Sequence, residues 1–149
     1  MEKVQIPNSQ FFALAKQLLQ EGKKIEISVK GNSMFPFLRD GETVVVAPVG
    51  ISGSLKRHDI ILAETTTGHI MMHRIREVNP AYILMKGDGN LLQTEQLNHS
   101  DVMGKAISVR RNGKNIPLYS PLQLFLTRLW SPLLVRKVGL RLFRIFSKP

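Results

Sequence analysis

The run Thr-Val-Val-Val-Ala-Pro-Val at residues 43–49 constrains the chain more than any other stretch. It is apolar without a break, rich in β-branched side chains and bounded by Glu42 and Gly50. It is too short for a helix and reads as a strand buried on both faces. Such a strand needs partners, and the sequence offers several. Ile25, Ile27 and Val29 alternate with charged or polar neighbours, the pattern of a half-buried strand, and Asp40-Gly41 supplies a turn before residue 43. After a Gly/Ser loop at 51–55, His58-Asp59 opens an apolar strand at 60–63. Residues 65–68 turn into a long strand at 69–78, with 82–86 as its antiparallel partner across Asn79-Pro80. A further strand at 102–110 leads through Arg111-Asn112-Gly113-Lys114 to Ile116. Short turns between strands predict a mainly β (α+β), antiparallel domain. Helices are expected only at the ends. Asn8 or Ser9 caps one running to about Glu21, with Phe12, Ala15, Leu18 and Leu19 at helical spacing and Gly22 as its stop. Ser120-Pro121 and Ser131-Pro132 each pair a cap with a proline at the first helical position.

The 149 residues suffice for one domain with its own core. The absence of cysteine excludes a disulfide framework and thiolate chemistry. The formal charge is +10, and six positive charges (Arg128, Arg136, Lys137, Arg141, Arg144 and Lys148) lie beyond residue 119 with no acid among them. We therefore expect a body at 1–119 and a basic helical tail at 120–149. In the second tail helix Lys137, Arg141, Arg144 and Lys148 share one face, and Leu134, Val138, Leu142 and Ile145 another; Trp130, Phe143 and Phe146 add aromatic bulk. That is the pattern of a basic amphipathic helix lying on an anionic membrane or in an acidic groove. A helix packed on the domain with its basic face in water is the alternative. Membrane contact is expected from Trp130, Arg136, Lys137, Arg141, Arg144 and Lys148. The longest uncharged stretches, 43–55 and 115–127, have thirteen residues each, short of the roughly 20 that a spanning helix needs. No secretory signal is visible. The expected place is cytoplasmic, peripheral on the inner face of a membrane.

Residues 29–42 read Val-Lys-Gly-Asn-Ser-Met-Phe-Pro-Phe-Leu-Arg-Asp-Gly-Glu. Gly31 allows close backbone approach, and the turn at Met34 and Pro36 could hold the Ser33 hydroxyl clear of the chain, as a nucleophile requires. The same letters also suit a loop whose serine only bonds its own turn. Farther on come His73-Arg74-Ile75 and Lys86-Gly87-Asp88-Gly89-Asn90. Together and in this order, these motifs resemble the S24/S26 serine peptidases, which include type I signal peptidases and LexA-like self-cleaving proteins. The resemblance covers residues 25–109 and is closest to the signal-peptidase branch that uses histidine where most bacterial members use lysine. It implies a LexA-like fold with Ser33 as nucleophile and His73 as general base. Asp88 is implied to orient His73 or to stabilise its protonated form, although an acid capping a Gly-rich turn is an equal reading. The Ser33 N–H is the natural first oxyanion donor. Signal peptidases commonly carry a hydroxyl where Gly31 stands, so Asn32 or another backbone N–H of the turn, which includes Met34, is left as the second. Glu95, with Asp101 behind it, stands near the place of the second acid in the histidine branch. Lys86 is an auxiliary candidate as an ion-pair partner of Asp88; as a base it is displaced by His73. The family has glycine where His58 stands, and His58 reads as a solvated loop residue.

His69 and His73 fall on one strand face, but four strand residues separate their origins by roughly 13 Å, too far to chelate one ion. No metal or cofactor is expected. The leading reading is a signal-peptidase-like serine endopeptidase that cuts a leader or precursor peptide at a membrane surface. The substrate would lie extended beside the strand that bears Ser33. One alternative is LexA-type self-cleavage, although the segment before Ile25 has neither Ala-Gly nor Cys-Gly. Another is a non-catalytic adaptor whose basic tail binds lipid or nucleic acid, with nucleic acid the less expected partner. The oligomeric state is open.

Overall fold

The computed structural model describes residues 2–4, 9–50, 54–89, 93–130 and 133–146, with backbone alone for 2–4, 9, 133–136 and 146. Its centre is a nine-stranded sheet. The strands are β1 (Glu2–Val4), β2 (Ile25–Ser28), β3 (Thr43–Ala47), β4 (Ile60–Glu64), β5 (Ile70–Val78), β6 (Ile83–Lys86), β7 (Glu95–Leu97), β8 (Val102–Arg111) and β9 (Lys114–Pro117). The helices are α1 (Ser9–Gln20), α2 (Pro121–Trp130) and α3 (Leu133–Phe146). In space the strands run β1-β2-β3-β8-β4-β5-β6-β7, and β9 also pairs with β8. The β1–β2 pair is parallel and the others are antiparallel. This is the mainly antiparallel β fold with terminal helices that the patterning predicts.

Alternation along β4 explains how one sheet buries apolar side chains on both faces. Ile60 and Leu62 enter a core that holds Ala15, Leu18 and Leu19 of α1, Ile25 and Ile27 of β2, and Val44 and Val46 of β3. Ile61 and Ala63 enter a second core with Ile75, Ile83, Met85 and Leu97. The continuous apolar runs are strands with no solvent face. Gly104 of β8 has its own reason: a Cβ there would meet Val46 Cγ1 and the Ala47 carbonyl oxygen inside contact distance. Helix α1 ends as its sequence predicts, with Gly22 at φ +83° and backbone bonds from Gly22 to Leu19 O and from Lys23 to Leu18 O. Asn112 (φ 51°) and Gly113 (φ 76°) form the left-handed turn between β8 and β9.

Two strands were not anticipated. β1 has only three residues, Glu-Lys-Val, and β7 only Glu-Gln-Leu, so neither carries a periodic signal; both exist through the neighbour they pair with. The capping residue Asn8, the loop residues 51–53 and the Ser131-Pro132 start lie outside the described residues.

Candidate active site

The loop that carries Ser33 is tied at both ends. Beyond β2, Val29 N–H donates to Glu42 O at 2.8 Å and Val29 O accepts from Gly41 N–H at 2.9 Å. Gly31, at φ +78°, donates its N–H to Asp40 Oδ1 at 2.8 Å. Glu42 accepts from the Arg39 amide at 2.7 Å and from both Nε and Nη2 of Arg111, whose Nη2 also donates to Phe37 O at 3.1 Å. Burial works against the Glu42 charge, but the Arg111 guanidinium and the Arg39 amide outweigh it and hold the carboxyl below its ordinary value. The Asp-Gly-Glu motif is therefore the buckle of the loop. Within it, Met34 O accepts from the amides of Phe37 and Leu38, both at 3.0 Å. The Met34 and Leu38 side chains are buried in the first core. Ser33 is left half-buried at the loop's edge.

A second tie comes from the Lys-Gly-Asp-Gly turn. Gly89 N–H donates to Ser33 O at 2.8 Å, and a Cβ on Gly89 would run into the Asn32 carbonyl oxygen. No larger residue fits without moving the backbone at Asn32 and Ser33. The turn is fixed by Asp88, whose carboxylate takes Arg74 Nε at 2.9 and 3.2 Å and Arg74 Nη2 at 2.8 Å. Arg74 Nη1 reaches His58 O at 2.8 Å, and the guanidinium lies 4.9 Å from the centre of the Phe37 ring. Trp130 Nε1 donates to Asp88 O at 2.8 Å.

Because side chains alternate along β5, His73 points to the opposite face from Arg74. There it shares an open cleft of about 360 Å³ with Ser33. The apolar part of the lining is Met34, Leu38, Leu62, Ile70, Met72 and their neighbours, and Glu95 and Gln93 stand at its polar side. His73 Nδ1 is 3.1 Å from Glu95 Oε2. That bond fixes the ring and leaves Nε2 as the nitrogen available to Ser33. Two strand segments border the cleft with edges that are unpaired among the described residues: Ser28 to Lys30, beyond the span of β1, and Ile70 to His73, before the β5–β6 pairing begins at Arg74. Among the described residues the Ser33 N–H has no acceptor.

The expected carboxylate roles are exchanged. Asp88, implied as the partner of His73, is committed to Arg74 on the other face, and Glu95, the auxiliary candidate, contacts the histidine. A single β pleat accounts for the difference, since Asp88 pairs with the residue beside His73. Lys86 lines a small recess with His58, Arg74, Arg76, Asp88 and Trp130 rather than the Ser33 cleft. His58 is not a freely solvated residue: it is half-buried, with φ +79°, a backbone conformation that favours glycine. Trp130, expected at a membrane, is turned inward onto Asp88. Lys137, Arg141 and Arg144 are exposed, while Lys148 and the Arg136 side chain lie outside the described residues. Gly31 and Asn32 are exposed and border Ser33, and the Asn32 carbonyl accepts from Phe35 N–H at 3.1 Å. Arg74 and Gly89 escaped notice as site residues although both lie inside the motifs. The signal was there: a permanent cation on the inner face of a strand requires a buried anion, and a second glycine after Asp88 requires a close approach.

A family model described as Peptidase S24-like matches residues 2–107. A comparison with curated proteins gives no match.

Proposed function

Since the chain belongs to the S24-like peptidase family, we propose that it is a serine endopeptidase acting through Ser33, His73 and Glu95 on an extended leader or precursor peptide. The observation that carries this reading is the common cleft: Ser33 and His73 line it together, and Glu95 holds the far nitrogen of the imidazole. His73 Nε2 accepts the hydroxyl proton as Ser33 Oγ bonds to the scissile carbonyl carbon. The Ser33 N–H meets the developing oxyanion, and Glu95 stabilises the imidazolium. Collapse breaks the C–N bond, the imidazolium proton passes to the leaving amine, and an ester remains on Ser33. Water, deprotonated by the same imidazole, then releases the acid. The two strand edges, unpaired among the described residues, suit a substrate that adds itself as a strand between them. The methionine-rich floor favours an apolar side chain next to the cut, in keeping with the small residues that signal peptidases accept.

The test is cleavage of leader and precursor peptides by the purified chain, with product masses locating the cut. Ser33→Ala and His73→Ala should each lower kcat/KM on the order of 10⁴-fold or more. Cleavage surviving both substitutions would remove the proposal. A cut within the chain itself, at a rate independent of its concentration, would favour self-processing instead.

A further inference from the structure

Seven of the nine large apolar side chains exposed among the described residues belong to α2 and α3. On α2, Leu122 (63 % exposed), Phe125 (58 %), Leu126 and Leu129 (52 %) recur at i, i+3, i+4 and i+7, a stripe that faces solvent. On α3, Val138, Leu142 and Ile145 form an exposed stripe, and Lys137, Arg141 and Arg144 form the exposed stripe beside it. The opposite side of α3 meets the body. Phe143 stacks on Phe35 of the Ser33 loop, with ring centres 3.9 Å apart, and a Cβ on Gly139 would fall 2.5 Å from the Trp130 ring. A helix that merely rests on its own domain buries its apolar stripe. These two helices bury other side chains and leave the stripes outward.

We infer that the outward face of α2 and α3 seats on an anionic lipid bilayer. Charge selects this occupant. Arg128, Lys137, Arg141 and Arg144 are exposed on the two helices, and Asp101 is the last acid in the chain. Guanidinium and ammonium groups next to a parallel apolar stripe match the boundary between headgroups and acyl chains, where the charged heads stay with phosphate while the leucines sink below. Beside α2, a hollow of about 310 Å³ runs from Leu126 and Leu129 to Phe37, Val109 and Leu118, with Arg39 among its walls. It gives an acyl chain of a seated lipid an apolar place. Trp130, which also lines this hollow, and Phe143 face the body rather than the outward stripes. They hold the helices on the body, so the seated face stands a fixed distance from Ser33. No helix among the described residues is long and apolar enough to cross a membrane, and seating requires none.

Docking stands apart from the chemistry at Ser33, and the test keeps them separate. The full chain is sedimented with vesicles of phosphatidylcholine, with and without phosphatidylglycerol. Binding should be at least about tenfold tighter to the anionic vesicles and weaken as salt is added. Arg141→Glu with Arg144→Glu should abolish that preference. Phe125→Ser with Leu129→Ser should weaken binding at least about tenfold at an unchanged melting temperature, because both side chains are exposed. Ser33→Ala should bind like the unaltered chain, whatever becomes of the peptidase reading. Equal binding to both vesicles, binding to neither, or a lipid-indifferent dimer that the Phe125 and Leu129 changes dissolve would overturn the inference.

Discussion

His73 and Arg74 are neighbours on β5, and each faces a carboxylate: Glu95 at 3.1 Å for the histidine, Asp88 at 2.8 to 3.2 Å for the arginine. Both pairs are largely shielded from water, with side-chain exposures of 6 and 12 % on one side and 5 and 8 % on the other. Burial therefore does not distinguish them; geometry does. Arg74 is always charged, makes three bonds to Asp88 and one to a carbonyl, and covers the Phe37 ring, so it has no freedom to rearrange. Among the described residues His73 has one bond, at Nδ1, and its ring borders the cleft, the arrangement that the proposed general base needs. The pleat places a rigid ion pair and the proposed proton carrier on opposite sides of one strand, a single residue apart.

Substitutions should separate the two sides. Glu95→Gln keeps the shape and removes the charge. We expect kcat/KM to fall on the order of 10³-fold or more, with urea unfolding altered by less than about 1 kcal/mol. Asp88→Ala does the reverse: it strands a buried guanidinium and should cost about 3–5 kcal/mol in the same unfolding measurement. If Asp88→Ala instead spared stability and removed only activity, the division of labour drawn above would be lost. Gly89→Ala tests the contact between the sides, because the added methyl must push the Asn32 carbonyl aside. A loss of about 1–3 kcal/mol is expected, with reduced kcat/KM on peptides.

The smallest effect should be a gain. His58 holds a left-handed backbone that disfavours side chains, so His58→Gly should stabilise the protein by about 0.5–1 kcal/mol after glycine's extra chain entropy is deducted. Burial, followed by Arg57, Arg74, Arg128 and Arg76, holds this imidazole below its ordinary 6.5. As pH falls through 6.5 the unfolded chain takes up the proton first, so His58 subtracts stability until the folded form also titrates. The advantage of the glycine variant should therefore widen between about pH 7.5 and about pH 5.5 in thermal melts. An advantage that stayed constant would mean that burial and the arginines do not act on His58 in this way.

Strands with a repeating apolar pattern could be read directly, as β4 and β8 show: β-branched side chains at period two or in continuous runs have few other ways to be buried. β1 and β7 could not, because three residues with one apolar side chain each carry no period. At the site, the sequence placed Ser33 and His73 in separate motifs, and the fold sets them in one cleft. The partner of the histidine was harder to assign. Choosing between Asp88 and Glu95 depends on which side of β5 each loop returns to, and loop direction is set by the β6–β7 pairing rather than by any local preference. The inward turn of Trp130 was hidden for a similar reason: an indole beside basic residues suits a lipid boundary as well as a buried carbonyl, and only the position of Asp88 decides.

The grip of Gly89 on the Ser33 carbonyl has an implication for biosynthesis. Ser33 leaves the ribosome before the amide that fixes its loop and the carboxylate that holds His73, which are translated more than fifty residues later. If Ser33 is the nucleophile proposed above, a nascent chain carries its hydroxyl before it has the means to aim it, and cutting must wait until β6 and β7 have joined the sheet.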